Sequence, residues 1–339
     1  MNPVLAELHD KARAVLDPVH YDFFAGGVGD EVVLAENEAA FLRLALLPRV
    51  LRGKKVSDAF PVLISPTAFH KLAHPDGELA TARAAAGTIL VSSMASTVPI
   101  ADVVAAATGP VWFQLYVQPD PEVTQALVRR AERAGCTALV VTVDSPVFGR
   151  HRRDIAHGFH DLPAGLAAEN MRDLHGVPGL RKIEMSAFSW EDIDRLRSMT
   201  SLPLWVKGVL HPADAVLAVA HGVAGIVVSN HGGRQLDLTP AAVEALPGVV
   251  DAVAGRVPVV LDGGVRSGGD IALALALGAS AVGIGRPVLW GLAADGEAGV
   301  RRVLDVLRDE YEHVLAMCGG ELTRDMVVVR GTGVSGWRG

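Results

Sequence analysis

A histidine and an arginine lie three residues apart, directly after an apolar run that is rich in β-branched residues. The run Ile226–Val228 predicts a buried strand, and His231 and Arg234 follow it in a polar turn with two glycines. A histidine can accept a proton near neutral pH, and an arginine can hold a carboxylate in two parallel hydrogen bonds. This pair therefore suits a substrate that carries both a carboxylate and a removable proton. For His231 taken alone, a structural role in the loop is the alternative.

Eight short apolar runs alternate with segments of helical period, and the run before His231 is the sixth of them. The runs are Pro61–Ile64, Thr88–Val91, Val111–Leu115, Ala138–Val143, Leu204–Val206, Gly225–Val228, Pro258–Leu261 and Ala281–Ile284. Alternation of strands with helices indicates a parallel sheet, and eight repeats predict an α/β fold with a closed (β/α)8 barrel, the TIM barrel. A doubly wound open sheet is the alternative.

The rest of the chain is predicted to surround this barrel in a single domain of residues 1–339. Helical periodicity over residues 2–15 and Asp30–Leu42 predicts an N-terminal helical segment, residues 1–60, and Val300–Met317 predicts a final helix. Residues of about 145–200 form a connection far longer than an ordinary strand-to-helix loop. Because the active sites of such barrels lie at the carboxyl ends of the strands, we expect this insertion to be a lid over the site.

The composition argues against several classes of function. The formal net charge of −7 over 339 residues argues against general binding of nucleic acid or of anionic membranes. Cys136 and Cys318 lie far apart and match neither a metal site nor a disulfide framework, so no metal is predicted. No apolar run of about 18 residues predicts a membrane span, and the charged N-terminus does not resemble a signal peptide. We expect a cytoplasmic protein.

Residues that are suited to binding lie at the carboxyl end of each of the eight predicted strands or directly after it. In chain order they are Ser65, Pro66 and Thr67; Ser92; Gln114 and Tyr116; Thr142 and Asp144; Lys207; Ser229, His231 and Arg234; Asp262, Gly263, Gly264 and Arg266; and Gly285 and Arg286. Because the carboxyl ends of barrel strands meet on one face, these residues predict one polar cavity.

The last two strand ends predict a phosphate site. Gly263, Gly264 and Gly285 allow backbone N–H groups to approach an anion closely. Arg266 and Arg286 supply positive charge beside them, and barrels frequently bind phosphate at this position. The alternative is that the glycines only turn the chain and the arginines pair with helices.

Lys207 lies in the middle of the predicted cavity and has two chemical interpretations. It can form a Schiff base, as in barrel aldolases, or act as a fixed cation that stabilises a developing anion. A structural ion pair is the third possibility. The residue types alone leave these interpretations open.

Several segments resemble the FMN-dependent 2-hydroxy-acid oxidases and dehydrogenases, such as glycolate oxidase, lactate oxidase and hydroxymandelate oxidase. The resemblance covers nearly the whole chain. It is carried by Tyr21–Gly27, Ser65–Ala68, Phe113–Tyr116, Thr142–Asp144, Val206–Gly208, Ser229–Asp237, Leu261–Arg266 and Gly285–Pro287. The segment around His231 is the most specific of these.

The resemblance implies a role for each residue of the predicted cavity. His231 would remove a proton from the substrate, while Asp144 would orient its ring and stabilise the imidazolium. Arg234 would bind the substrate carboxylate, and Tyr116 would hydrogen-bond the substrate or its developing charge. Lys207 would stabilise the reduced flavin, which displaces the Schiff-base interpretation. The product would be a 2-oxo acid.

FMN is the cofactor that the resemblance implies. Strand ends and resemblance together predict that it is bound by Ser65, Pro66, Thr67, Ala68, Ser92, Gln114, Thr142, Lys207, Ser229, Asp262, Gly263, Gly264, Arg266, Gly285 and Arg286.

Three residues depart from the family pattern, and all three belong to the predicted substrate site. Phe23 replaces a tyrosine whose hydroxyl helps to bind the carboxylate in glycolate and lactate oxidases. His151 stands where the family's lid carries an active-site arginine, and Met94 stands where glycolate oxidase has a tryptophan. A wider and less cationic pocket favours a larger or aromatic 2-hydroxy acid, such as mandelate. We also expect His151 to give substrate binding a pH dependence that an arginine would not.

The sequence therefore predicts an FMN-dependent oxidase of an (S)-2-hydroxy acid that reduces oxygen to hydrogen peroxide. Three alternatives are a dehydrogenase with a quinone or protein acceptor, a Schiff-base lyase that uses Lys207, and a flavin-binding protein that no longer oxidises hydroxy acids. The expected partners are the hydroxy acid and oxygen, with no nucleic acid and no membrane. The resemblance also implies a homo-oligomer, a tetramer.

Overall fold

The computed structural model of the protein describes residues 2–52, 59–174 and 176–331. Its strands, in chain order, are Leu44–Leu46 (β1), Val62–Ile64 (β2), Ile89–Ser93 (β3), Val111–Leu115 (β4), Ala138–Thr142 (β5), Leu204–Lys207 (β6), Gly225–Ser229 (β7), Val259–Asp262 (β8), Ala281–Ile284 (β9) and Val327–Val329 (β10). Strands β2 to β9 form a closed parallel barrel, because β2 pairs with both β3 and β9. The predicted TIM barrel is confirmed, and the open sheet is wrong.

Side chains that point into the barrel fill it as a packed core. Leu63, Val140, Val227 and Val260, from four different strands, belong to one buried cluster that also contains Trp205. A Cβ atom on residue 225 would lie 2.2 Å from the Trp205 ring, so the glycine at the start of β7 makes room for this indole. The interior is therefore closed by apolar residues, and the polar strand ends lie at one face.

Helices cover the outside of the barrel. They are Pro3–Val15 (α1), Pro18–Ala25 (α2), Val32–Leu42 (α3), Gly77–Ala84 (α4), Ile100–Ala106 (α5), Pro121–Ala134 (α6), Arg152–His157 (α7), Trp190–Met199 (α8), Pro212–Ala220 (α9), Ala242–Val253 (α10), Gly268–Ala276 (α11) and Arg286–Met317 (α12). Helices α1, α2 and α6 each begin with a proline after an Asn or Asp side chain that accepts a backbone hydrogen bond. Such prolines and caps are favoured at helix starts.

The predicted helices are confirmed, but two boundaries and one sheet differ from expectation. Helix α3 begins at Val32 rather than Asp30, because Glu31 takes a left-handed conformation with φ of 62°. The last helix begins at Arg286 rather than Val300, and two helical parts meet at a non-helical Asp295 and Gly296. Strands β1 and β10 pair antiparallel near the C-terminus, which the sequence did not predict because three residues show no period.

The connection between β5 and β6 carries the short helix α7 and then α8. Ile193 and Leu196 of α8 are buried in the main core, so this helix is part of the barrel's outer layer although it falls inside the predicted insertion of about 145–200. The segment between Asp144 and α8 is what remains as the candidate lid, and residue 175 lies outside the described part. Of the predicted segment 1–60, residue 1 and residues 53–58 also lie outside it, as does the tail from residue 332. Within the described ranges no helix is long and apolar enough to cross a membrane.

Candidate active site

His231, Asp144 and Tyr116 meet at the carboxyl end of the barrel. The Nδ1 atom of His231 lies 2.8 Å from Oδ1 of Asp144. Its Nε2 atom lies 3.4 Å from the hydroxyl oxygen of Tyr116. An ionised carboxylate can only accept, so the neutral ring carries its proton on Nδ1 and leaves the lone pair on Nε2. The free lone pair is the one that a general base requires.

The backbone around His231 and Asp144 is specialised to bring the two side chains together. His231 adopts a left-handed conformation with φ of 59°, which is uncommon for a residue with a Cβ atom. Its N–H donates to Ser229 Oγ at 3.0 Å, which holds the turn after β7. A Cβ atom on Gly208, at the end of β6, would lie 2.5 Å from Cγ of Asp144. Gly208 therefore leaves the space in which the carboxylate packs.

The protonation states of these three residues suit proton abstraction. Burial lowers the pKa of His231, and Lys207 and Arg234 lower it further, while Asp144 opposes them only in part. Burial alone would raise the pKa of Asp144, but His231, Lys207 and the hydrogen bond from Ser145 together outweigh burial and hold that pKa below its usual value. Burial also raises the pKa of Tyr116. Near pH 7 the site therefore holds a neutral imidazole, a carboxylate and a phenol.

The lowered pKa of His231 predicts the acid limb of the pH profile. A base acts only when neutral, so kcat should stay on its plateau below the ordinary histidine value of about 6.5 and fall as the pH drops through the lowered pKa. The measurement is kcat at saturating substrate between about pH 4 and 8. In Asp144→Asn the limb should move to still lower pH, because the anion that favours the imidazolium is gone. A wild-type limb above pH 7 would contradict this assignment.

The guanidinium of Arg234 is fixed by hydrogen bonds at one nitrogen, while its other N–H groups have no acceptor in the described part of the chain. Its Nη1 atom donates to the carbonyl oxygens of Phe23 and Gly26, both at 2.8 Å, at the end of α2. Its guanidinium carbon lies 5.2 Å from the centre of the Phe23 ring. Within the described ranges no acceptor bonds its Nε or Nη2 atoms, which leaves about three of its five N–H groups for a ligand. The side chain is thus an oriented clamp for a carboxylate.

Lys207 lies on the floor of the site in a buried polar network. Its Nζ atom lies 3.2 Å from Ser229 Oγ and 3.3 Å from Oδ2 of Asp262. Asp262 also accepts from Ser229 at 2.8 Å and from Ser65 at 2.6 Å. Burial raises the pKa of Asp262, but Lys207 and the two serines outweigh burial and lower it overall. An ammonium paired in this way is a fixed cation and a poor nucleophile, which favours the second interpretation of Lys207.

Three polar side chains at the ends of β3, β4 and β5 fit the polar edge of a flavin ring. The amide nitrogen of Gln114 donates to Thr142 Oγ1 at 3.0 Å, and its amide oxygen accepts from Met94 N at 3.3 Å. The hydroxyl oxygen of Ser92 is buried and has no hydrogen-bond partner in the described part of the chain. Buried polar atoms are normally paired, so Ser92 is placed for a polar ligand atom.

The glycines of the predicted phosphate site lie partly beside a helix N-terminus and partly against helix α3. Gly285 precedes Arg286, the first residue of α12, so the helix N-terminus points backbone N–H groups toward this strand end, as phosphate sites do. Gly263 and Gly264 have φ of 123° and 81°, and a Cβ atom on Gly264 would lie 2.0 Å from the carbonyl oxygen of Asn37. Close packing on α3 therefore already requires this second glycine.

The two arginines of this set contact protein groups. Arg266 forms an ion pair with Glu38 at 2.8 Å. Arg286 donates to the carbonyl oxygens of Phe24, Gly26 and Gly232, and so ties the end of α2 to the His231 loop. Burial, with Arg234 and Arg266, lowers the pKa of Arg286 to about 9, which keeps it cationic at pH 7. Their contact with a phosphate stays a prediction.

The remaining predicted residues lie around the site at different depths. Met94 is fully buried in the main core, so its contact with substrate stays a prediction. Thr67 Oγ1 lies 2.6 Å from the ring of His70, which sequence reasoning missed. His70 is buried and also contacts Thr81 at 2.9 Å, an arrangement that fixes the loop after β2. Nothing in the sequence distinguishes His70 from a surface histidine.

An aromatic cluster beside Arg234 was also missed. The ring of Phe23 lies 5.9 Å from that of Phe69 and 5.4 Å from that of Phe159, a residue that follows the lid helix α7. Phe24 completes the group at 5.2 Å from Phe23. These residues are distant in sequence, so only the fold brings them together.

Comparisons with known proteins agree with this geometry. The model of the family described as FMN-dependent dehydrogenase matches residues 12–327. Glycolate oxidase of Spinacia oleracea is 47% identical over 333 residues, which cover 91% of this chain and 89% of the relative. Glycolate oxidase 3 of Arabidopsis thaliana is 46% identical over 338 residues, or 93% and 92% of the two chains. A solved structure of mandelate oxidase, with a fluorinated hydroxyphenylpropionic acid, has a TM-score of 0.86 and 42% identity, covering 93% of this chain and 94% of the other.

Proposed function

The chain belongs to the FMN-dependent dehydrogenase family, in which it is an FMN-dependent 2-hydroxy-acid oxidase, and we propose that it prefers large or aromatic (S)-2-hydroxy acids of the mandelate type. The observation that carries this preference is the surface of Phe23 beside the carboxylate clamp. Its ring contacts Arg234, Phe69 and Phe159, so an apolar wall stands where related oxidases of small acids carry a hydroxyl donor. Mandelate oxidase, a structural neighbour, supports the same substrate class.

In this proposal each residue of the site has a separate role in the reaction. The free donors of Arg234 hold the substrate carboxylate and thereby place the α-carbon. Nε2 of His231 takes the hydroxyl proton, and Asp144 stabilises the imidazolium that forms. The Tyr116 hydroxyl donates to the substrate oxygen. The chemistry that bound FMN would supply is acceptance of the hydride equivalent from the α-carbon, and the alcohol would then become a 2-oxo acid.

The FMN cofactor is held by the strand ends in this proposal. Ser92, Gln114 and Thr142 would meet the polar edge of its ring, and Lys207 would supply a fixed positive charge beside it. Loop residues after β2, from Ser65 to Ala68, would pack against the ring. Asp262 would bind the hydroxyls of the ribityl chain, and Gly264 and Gly285, the residue before α12, would bind its phosphate, with Ser229, Gly263, Arg266 and Arg286 around them.

Substrate preference is the first test of this proposal. Loss of the tyrosine hydroxyl removes one donor to the carboxylate, which costs on the order of 1–3 kcal/mol for a small acid. A phenyl ring recovers binding energy from the aromatic wall. We expect kcat/KM for (S)-mandelate to exceed that for glycolate and for lactate by at least about tenfold. Phe23→Tyr should raise the efficiency on glycolate. Equal or better efficiency of the wild type on glycolate would contradict the preference.

The electron acceptor and the assembly complete the proposal. Reduction of oxygen to hydrogen peroxide is supported by the oxidases among the relatives, and a quinone or protein acceptor is the alternative. Stoichiometric peroxide formation with oxygen consumption would support the oxidase, and turnover only with an added quinone would support the alternative. A single-domain chain, a homotetramer and a cytoplasmic location also remain proposals. Borohydride trapping of a substrate on Lys207 would instead indicate a lyase.

A further inference from the structure

His151 does not point its ring nitrogens toward an open site. Its Nε2 atom lies 2.9 Å from the backbone carbonyl oxygen of Arg234, and its Nδ1 atom lies 3.1 Å from Oδ2 of Asp154. The side chain is mostly buried, with 20% of its surface exposed. The imidazole therefore forms a bridge between the lid helix α7 and the peptide of the carboxylate clamp.

Both partners of this ring are acceptors. A carbonyl oxygen has no proton to donate, and neither has an ionised carboxylate. A neutral imidazole has one N–H donor and one lone pair, so in either tautomer one ring nitrogen would face an acceptor without a proton between them. Only the doubly protonated ring satisfies Asp154 and Arg234 together. The geometry is that of an imidazolium.

The same loop is tied to the lid segment at two further points. Gln235 donates to Ser145 Oγ at 2.6 Å, and Ser145 donates to Asp144 at 2.9 Å. A Cβ atom on Gly149 would lie 2.1 Å from the carbonyl oxygen of Arg234, so the lid backbone touches the same peptide that His151 bonds. A shift of the lid backbone at Gly149 would therefore also shift the peptide group of Arg234.

We propose that His151, as an imidazolium, is a positioning residue that sets the Arg234 clamp and makes substrate binding weaken as the pH rises. Arg234 is then held at two ends, by the carbonyls of Phe23 and Gly26 at its guanidinium and by His151 at its peptide. When the imidazolium of His151 loses a proton, one of its two hydrogen bonds is broken. The peptide of Arg234 is then held less firmly, and the guanidinium binds the substrate carboxylate less well. The proposal rests on the proposed function only in that Arg234 binds the substrate carboxylate.

Asp154, on α7, is the charged side chain that pairs with His151, whereas Arg234 meets the ring through its backbone carbonyl oxygen. The neighbouring lid cations have other partners, because Arg153 pairs with Asp22 and Glu31, and Arg152 pairs with Asp30.

The test compares four forms of the FMN-loaded enzyme. Binding of a 2-oxo acid, the product class, is followed by the change in the visible flavin spectrum, and KM and kcat are measured for whichever 2-hydroxy acid is turned over. Wild-type Kd and KM should rise about tenfold from about pH 5 to 8, the range in which histidines change charge, with little change in kcat. In His151→Arg, which is charged throughout, the rise should shrink to the part that His231 contributes.

Two further variants separate positioning from simple structural damage. His151→Gln can still donate one bond but carries no charge, so its Kd should match that of the wild type at pH 8 and exceed it at pH 5. His157→Gln is the matched control, since His157 lies on the same lid helix but bonds Asp22, at 2.8 Å, and should keep the wild-type profile. Protonation of His231 at low pH also attracts an anion, and His151→Arg retains that effect, so the difference between the profiles reports His151 alone.

Two outcomes would overturn the proposal. One is a Kd of His151→Arg that rises with pH as steeply as that of the wild type. The other is a Kd of His157→Gln that no longer rises with pH. Failure of the proposed substrate preference is a separate result, because the Kd of an oxo acid depends on the clamp and not on which hydroxy acid is preferred.

Discussion

His231→Gln should lower kcat by about 10²–10⁴-fold, the usual contribution of a positioned general base. Glutamine is similar in reach and keeps a hydrogen bond to Asp144, but it cannot accept a proton near pH 7. Because Arg234 is unchanged, KM should change little. The measurement is steady-state kcat and KM on the best 2-hydroxy acid, with FMN content confirmed by the visible spectrum.

A surface pair provides the matched control for this variant. His221 and Asp194 form a similar contact, with Nδ1 of the ring 2.9 Å from the carboxylate, but outside the barrel. His221→Gln should leave kcat within about twofold of the wild type, as surface changes usually do. A loss of less than about tenfold in His231→Gln would show that His231 is not the base.

Arg234→Lys should lower kcat/KM by about 10²–10³-fold, mainly through KM. Charged hydrogen bonds contribute about 1.5–3 kcal/mol each, and lysine cannot offer the paired donors of a guanidinium. The lysine also loses the two bonds to the carbonyls of Phe23 and Gly26 that aim the side chain. The efficiency on a single hydroxy acid is the quantity to compare.

The control for this variant is a conservative change of a surface arginine. Arg301, which pairs with Glu297 on α12, is about half exposed, and Arg301→Lys should leave kcat/KM unchanged. Partial rescue of Arg234→Ala by added guanidinium would support the clamp directly. An Arg234→Lys enzyme with unaltered KM would mean that the carboxylate is bound elsewhere.

The barrel was predictable because each of its strands is a short apolar run followed by a polar end. Runs such as Ala138–Thr142 are buried along their whole length, so each appears in the sequence as an unbroken stretch of apolar, often β-branched residues. Elements whose stability comes from distant contacts were not predictable. Helix α2 has little periodicity of its own, and β1 exists through its pairing with β10.

The chemistry of the site was partly predictable for the same reason. His231, Asp144 and Lys207 come directly after strands, and barrel geometry gathers such residues on one face. Where side chains point within that face depends on tertiary contacts. Arg286 was predicted to meet a phosphate, yet its donors reach carbonyls of α2 and of the His231 loop. His151 was predicted to face the substrate, yet it bonds the peptide of Arg234.

The central claim is that His231, Asp144 and Arg234 form a site that oxidises a 2-hydroxy acid with FMN. The most direct test is to mix the FMN-loaded enzyme with (S)-mandelate in the absence of oxygen and to follow the visible flavin band. We expect the band to bleach as an equivalent amount of 2-oxo acid forms, and to persist in His231→Gln over the same time. A wild-type band that persists with mandelate, lactate and glycolate alike, or one that bleaches equally fast in His231→Gln, would contradict the claim.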